Sequence, residues 1–314
     1  MARCIADSNL GTATDTYLYS LARNGNTFAS VGSDDNLRLF DGSLKLLNRP
    51  SPAHSGISCL STYGSGFVTA GRDGLVRSWD TRATRTGVEL LEPRGRGFSS
   101  LACHDHLIAA GTESTKEGLG DVSVLLYDTR NPSAPIRDYP ESHTDTITQL
   151  AFHPSQPNIL LSGSTDGLVS LFDANIQEEE DALQQVLNSR AAVHCSGFLS
   201  PTEAYIVTTD EHFSIHSIGD AETADNPTVL DIGDVRGKLQ CLIASQQPVM
   251  VCGHNVNQTL SIVQLDQSRS WSFGSAIDLP GAHGEEVVRD VMVLEQERKA
   301  ISCGEDGHVK VWDV

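Results

Sequence analysis

A chain of 314 residues, 39% hydrophobic and 20% charged with 27 glycines, has the makeup of a folded globular protein rich in turns and able to bury a sizeable core. Its formal net charge of −19 argues against free DNA or RNA as the main ligand, because such binding is built on Lys and Arg neutralising phosphates. The start MARCIADSNL carries no apolar stretch, and the longest apolar runs, AYIV and PVMVC, fall far short of the ~18 residues of a membrane span. An intracellular protein of the cytoplasm or nucleus, with no membrane contact, is therefore expected.

In chain order, residues 1–10 hold the strand-like ARCIADSNL, set apart from YLYSLAR, which opens the first of a series of similar units. That unit reaches SVGSDDNLRLFD (30–41). The second runs through ISCLSTY, FVTAG, LVRSW and VELLE, alternating segments separated by Gly, Asp, Thr and Ser, and so reads as four strands joined by tight turns. Its TAGRDGLVRSWD (69–80) repeats the end of the first unit. GLGDVSVLLYD (118–128) is a weaker copy and SGSTDGLVSLFD (162–173) a close one. TTDEHFSIHS (208–217) and, in uncertain register, NQTLSIVQ (257–264) are degenerate, whereas SCGEDGHVKVWD (302–313) is close again.

The place of Trp79 is taken in turn by Phe40, Tyr127, Phe172, His216, Val263 or Leu265, and Trp312, at intervals of 39 to 49 residues. That spacing is the blade period of β-propellers. No unit can bury both faces of its sheet alone, so one monomeric all-β domain of seven blades over 1–314 is expected. The seventh unit has only three strands of its own, and the segment near Ala2 to Asp7 is the spare strand that pairs with 308–313, joining the last blade to the first.

The chain resembles the WD-repeat β-propellers over its whole length. The resemblance implies a structural quartet of His, Ser or Thr, Asp and Trp in the better-formed blades: His54, Thr69, Asp73 and Trp79 in the second, and His283, Ser302, Asp306 and Trp312 in the seventh. The fourth has His143, Ser162 and Asp166 but Phe172, which lacks an indole N–H, so its hydrogen-bond chain ends early. The first keeps Ser30 and Asp34 with Phe40, the third only Asp121 and the fifth only Asp210. Residues 143–183, with AAGTE (109–113), further resemble the WD repeat-containing protein 89 family.

Other patterns favour bland readings. A recurring Ser, His and Asp suggests a hydrolase triad, but its repetition and the absence of a Gly-x-Ser-x-Gly elbow favour buried groups that satisfy one another, and no enzyme is expected. GDVRGKL (233–239) is one residue short of a phosphate loop and has Leu239 where Ser or Thr should stand. His104-Asp105-His106 lies on a hairpin turn, and His212 with His216 lacks further ligands at zinc spacing, so neither metal nor cofactor is expected. Seven scattered cysteines without a Cys-x-x-Cys read as reduced thiols, which makes the sequon-like Asn257-Gln258-Thr259 an accident. Residues 177–188 favour helix by propensity, but the blade count requires an outer strand there. The arginines from Arg72 to Arg96 read as a solvated edge.

The expected function is a non-catalytic interaction scaffold. By the family's geometry the loops of one rim carry Asp35, Glu113, Glu117, Asp145, Asp210, Glu211, Glu285, Glu286 and Glu305, with Lys116 as the main opposing charge. Such a rim suits a basic protein segment, for example a ribosomal-protein-like or histone-like tail. The alternative is a substrate receptor of a cullin-4 ubiquitin ligase: family members that dock the ligase's adaptor carry Trp-Asp-x-Arg after the third strand, matched by Trp79 to Arg82 and, with Tyr, by Tyr127 to Arg130.

Overall fold

The computed structural model describes residues 2–81, 86–116, 118–219, 229–235, 241–246, 249–254, 257–266 and 272–314. Strand β1 (Arg3–Ser8) comes first, followed by β2 (Leu18–Asn24), β3 (Thr27–Gly32), β4 (Leu37–Asp41) and β5 (Leu46–Asn48). The second blade is β6 (Ile57–Tyr63), β7 (Gly66–Gly71), β8 (Leu75–Asp80) and β9 (Thr86–Leu91), and the third is β10 (Phe98–His104), β11 (Leu107–Thr112), β12 (Val124–Asp128) and β13 (Arg137–Tyr139). The fourth holds β14 (Ile147–Phe152), β15 (Ile159–Ser164), β16 (Leu168–Asp173), the short helix α1 (Glu179–Ala182) and β17 (Leu183–Asn188). The fifth is β18 (Val193–Ser200), β19 (Glu203–Thr208), β20 (His212–Ser217) and β21 (Val229–Asp234). The sixth is β22 (Cys241–Gln246), β23 (Val249–His254), β24 (Thr259–Asp266) and β25 (Ser272–Pro280), and the last is β26 (Val288–Leu294), β27 (Lys299–Gly304) and β28 (Val309–Asp313).

These strands form seven four-stranded antiparallel sheets, each in sequence order except the last, which runs β1-β28-β27-β26. The fold is an all-β, seven-bladed β-propeller closed by an N-terminal strand in the last blade. Two points left open by the repeat pattern are settled by the strands. Within 177–188 the outer strand is β17, but its first turn is α1, held because the Glu179 carboxylate accepts the N–H groups of Glu141 (2.8 Å) and Ser142 (2.7 Å). In the sixth blade Val263 pairs with Met250 as Trp312 pairs with Ala300, so Val263 rather than Leu265 holds the Trp position.

The chain divides into two compact units, one of Met1–Phe67, Thr81–Thr84 and Val235–Val314, the other of Val68–Asp80 and Arg85–Asp234. In the first, β1 pairs with β28 through Arg3↔Asp313, Cys4↔Trp312, Ala6↔Val311 and Ser8↔Val309, and two core clusters form around Trp312, Leu260 and Val291 and around Leu18, Phe28 and Phe40. In the second, Leu160, Phe172 and Tyr139 centre one cluster and Leu161, Phe198 and Ile206 another. The second strand of a blade is buried nearly throughout, as in β11 and β15, which explains its small and aliphatic residues: both of its faces are covered. Gly111 shows how tight this is, since a Cβ there would lie 2.3 Å from Ser100 Oγ and 2.6 Å from Ile147 Cγ2.

The first strands carry a feature that the repeat pattern does not show. Registers skip one residue at Tyr19, Ser99, Thr148, His194 and Arg289, each a β-bulge that turns a side chain out of the alternation. Three of these side chains donate a hydroxyl to the next blade's first strand: Tyr19 to the Ile57 carbonyl, Ser99 to Ile147 at 2.8 Å and Thr148 to Val193 at 3.0 Å. Between the last and first blades the link is a carboxylate. Asp290 accepts the Leu21 N–H on Oδ2 and the Val291 N–H on Oδ1, both at 2.7 Å.

Burial pushes the Asp290 carboxyl up from 3.8 to about 6, against the lowering effect of those two hydrogen bonds. A folded value above the unfolded one means a contribution that is complete below the unfolded value and is lost as pH rises through about 6. The stability difference between wild type and Asp290→Asn, taken from denaturant unfolding at steps from pH 4 to 7, is therefore expected to move against wild type as pH rises. A difference that stays flat over this range counts against a raised Asp290.

Candidate functional site

The seventh blade contains an unbroken polar chain. Trp312 Nε1 donates to Ser302 Oγ at 2.9 Å, Ser302 Oγ lies 2.8 Å from His283 Nε2, and His283 Nδ1 lies 2.7 Å from Asp306 Oδ1. An indole N–H only donates and a carboxylate only accepts, so the neutral tautomer that satisfies all four has Nδ1–H donating to Asp306 and Ser302 O–H donating to Nε2. Burial raises the Asp306 carboxyl, but the His283 hydrogen bond and further contacts outweigh it and hold it below the ordinary value. In the fourth blade His143 bridges Ser162 Oγ (2.7 Å) and Asp166 (3.1 Å), and the chain stops there because Phe172 offers no donor. In the second, Trp79 Nε1 donates to Thr69 Oγ1 at 2.8 Å, and His54 is buried. Ser302 and Ser162 are fully buried inside these chains, which leaves no accessible nucleophile in them.

The first and third blades, which lack the histidine, use charge instead. Arg38, wholly buried, grips Asp34 through both terminal nitrogens, one at 3.0 Å. In the third blade the buried Arg96 binds Glu92 through Nε (2.9 Å) and Nη2 and donates from Nη1 to the Asp121 carbonyl (2.8 Å). This corrects the solvated-edge reading for part of the arginine group: Arg96 is buried, and Arg77 and Arg94 are bound to Asp73 and Asp138.

The rim acids are not equivalent. In the first unit Asp35 accepts the Gly56 (3.0 Å) and Ile57 (2.8 Å) N–H groups and Glu305 is paired with Arg289, whereas Glu285 and Glu286 are exposed and make no ion pair among the described residues. In the second unit Glu113 is held bidentate by Arg72 at 2.9 and 3.2 Å, Asp145 accepts the Thr146 N–H at 2.6 Å, Glu211 is half-buried and Asp210 is exposed. Glu117 lies outside the described residues. Lys116 is thus not the main opposing charge, because Arg72 and Arg289 each neutralise an acid. Arg82 also lies outside the described residues. Arg130 is 68% exposed and bound to Asp128 through Nε (2.9 Å) and Nη2 (2.6 Å), a contact that holds the Asp128 carboxyl down at about 2.

Sequence reasoning missed a second pairing rule. In the first, second and seventh blades a cation two residues before the Trp position binds the Asp four residues before the cation: Arg38 with Asp34, Arg77 with Asp73 (3.2 Å) and Lys310 with Asp306 (3.5 Å). The signal was in the repeat alignment, in which Arg or Lys recurs at one strand position.

Replacing Trp312 by Phe removes the donor to Ser302 while keeping most of the packing, and should cost about 1–2 kcal/mol. Trp312→Ala adds a cavity and should cost about 3–5 kcal/mol. Denaturant midpoints that rank the two variants equally would show that the indole N–H contributes nothing.

Comparison with known proteins agrees with this geometry. The family described as "WD domain, G-beta repeat" matches residues 45–80, 134–173 and 278–313. An uncharacterized WD repeat-containing protein of Saccharomyces cerevisiae is 35% identical over 298 residues, spanning 90% of this chain and 74% of that one. The WD repeat-containing protein 89 homolog of Dictyostelium discoideum is 26% identical over 196 residues, 61% of this chain and 51% of its own. The crystal structure of the computationally designed Ika8 protein superposes with a TM-score of 0.68 at 19% identity, covering 96% of this chain and 97% of that chain, a likeness of fold alone. The repeats, the strand order and these relatives together make the chain a member of the WD-repeat family.

Proposed function

We propose that this protein is a non-catalytic scaffold whose acidic loops bind a Lys- and Arg-rich segment of another protein. A WD-repeat propeller is a platform for protein interactions, and the observation that carries the finer reading is the pair Glu285 and Glu286. Both carboxylates are exposed, adjacent and unpaired among the described residues, in a chain of net charge −19. Carboxylates that are free of internal partners raise the on-rate of a cationic segment and are screened by salt. Disordered basic tails of the ribosomal-protein or histone kind have the matching charge.

Glu285→Gln with Glu286→Gln should weaken binding of an Arg- and Lys-rich peptide about fivefold at low ionic strength. The gap should close near ~0.5 M salt. Equal affinities across the salt series would sink the reading. Glu305 is left unchanged in this test, because its removal would free the Arg289 cation.

A second reading, docking to a cullin-4 ligase adaptor, rests on Arg130, whose exposed guanidinium is held in a fixed direction by Asp128 at the end of β12. If this reading holds, Arg130→Ala combined with Arg82→Ala abolishes co-purification with the adaptor while the thermal midpoint stays unchanged. Retained adaptor in the double variant ends it.

A further inference from the structure

The cation is absent from the third to sixth blades, where Leu125, Ser170, Ser214 and Ser261 take its position, and the fifth also lacks the histidine that His143 supplies to Asp166 in the fourth. The Trp position of the fifth blade is His216, so the residue two before is Ser214 and the residue six before is Asp210. Where Arg38, Arg77 and Lys310 reach an aspartate in the first, second and seventh blades, Ser214 is too short and neutral. Asp210 keeps only the Thr208 hydroxyl and has no ion pair among the described residues. No histidine enters from the preceding loop, which is Ser189, Arg190 and Ala191. The missing groups leave a cleft of about 510 Å³ lined by Arg190, Asp210, His212, Ser214, His216 and Asp231 among others, all within one compact unit.

The cleft also holds an unmet hydrogen-bonding atom. His216 is 4% exposed and its Nε2 lies 2.9 Å from Ser214 Oγ, but its buried Nδ1 has no partner. Burial draws the imidazole below its ordinary value, with Asp231 opposing, so the ring is neutral near pH 7. With Nε2–H donating to Ser214, Nδ1 is an unused acceptor. A buried acceptor without a donor is costly, and a guest N–H entering the cleft would supply one. Asp231 adds a second carboxylate, 61% exposed and 2.7 Å from His212 Nε2.

We infer that the cleft of the fifth blade is a socket for a guest Lys or Arg side chain, which takes the place that Arg38, Arg77 and Lys310 fill from within in other blades. The guest's charge is met by Asp210 and Asp231. This rests on the reading of a basic client and identifies where one of its cationic side chains anchors.

The test compares wild type, Asp231→Asn and Ser214→Arg, the last installing the cation that the first two blades carry. Two probes are used: an Arg- and Lys-rich peptide, with affinity measured at fixed low salt, and arginine methyl ester, followed through the NMR signals of the His212 and His216 rings. Both variants are expected to bind the peptide at least tenfold more weakly, with the thermal midpoint of Ser214→Arg unchanged or raised. The ester is expected to shift the His216 ring in wild type and not in Ser214→Arg. Peptide binding that is unchanged in both variants overturns the socket and leaves the basic-client reading standing. Absence of peptide binding to wild type removes that reading, and the ester then decides the socket alone: no His216 shift overturns it. Arg190 is the internal rival. If Arg190→Ala moves the ring signals without ligand and the ester adds nothing in wild type, the socket is already filled by the chain itself and the inference fails.

Discussion

In a four-stranded blade whose second strand is covered on both faces, a polar side chain left on that strand without a partner is costly, and much of this structure follows from how each blade meets that cost. Ladder hydrogen bonds satisfy the backbone, but Ser30, Thr69, Ser162 and Ser302 sit on fully buried strand positions. Each unpartnered hydroxyl there would cost on the order of 1–3 kcal/mol. The quartet solves this by running one relay from the indole through the hydroxyl and the imidazole to a carboxylate at the turn. It also ties the loop that enters a blade to the third strand of the same blade, so packing and loop position become one cooperative choice.

The charged substitutes solve the same problem less evenly. Glu92 and Arg96 satisfy each other well, because the carboxylate also accepts the N–H groups of Arg94 (2.7 Å) and Arg96 (2.8 Å) and the guanidinium reaches the Asp121 carbonyl and the Ser123 hydroxyl. Arg38 and Asp34 do so incompletely: Arg38 Nε and Ser30 Oγ remain without partners. Removing a charged pair from water is expensive, and it is offset only where every lone pair and proton finds a match. The first blade is therefore the less satisfied of the two. It is also the one that β26 holds through Asp290, which accepts the Leu21 N–H.

The blade count, the quartets and the closing strand were legible because they rest on side-chain type at fixed spacing. The bulges were not, since a one-residue skip leaves the apolar alternation readable on either side. Tyr19, Ser99 and Thr148 look like ordinary strand residues until the register shows their hydroxyls on the next blade. The acids were legible as a set but not individually. Asp145 bends back onto the next residue's N–H, whereas Asp35, Glu113 and Glu305 meet partners 21, 41 and 16 residues away, which no local pattern discloses. The fifth-blade cleft was half visible: the lost Trp and His could be read, but the consequence of a serine two positions earlier needed the ion pairs of the other blades.

That distinction explains why Glu285 and Glu286 stay free. Between β25 and β26 the backbone passes through left-handed conformations at Gly281 (φ 70°), His283 (φ 58°) and Gly284 (φ 62°). Such values are easy for glycine and unusual for histidine, and His283 holds one because its ring is drawn inward onto Ser302 and Asp306. Glu286 N–H then closes the turn on the His283 carbonyl at 3.1 Å, and the Glu285 and Glu286 side chains are exposed. The quartet that stabilises the seventh blade thus also presents the acidic pair. The two exposed acids therefore follow closely on a histidine whose position the quartet fixes.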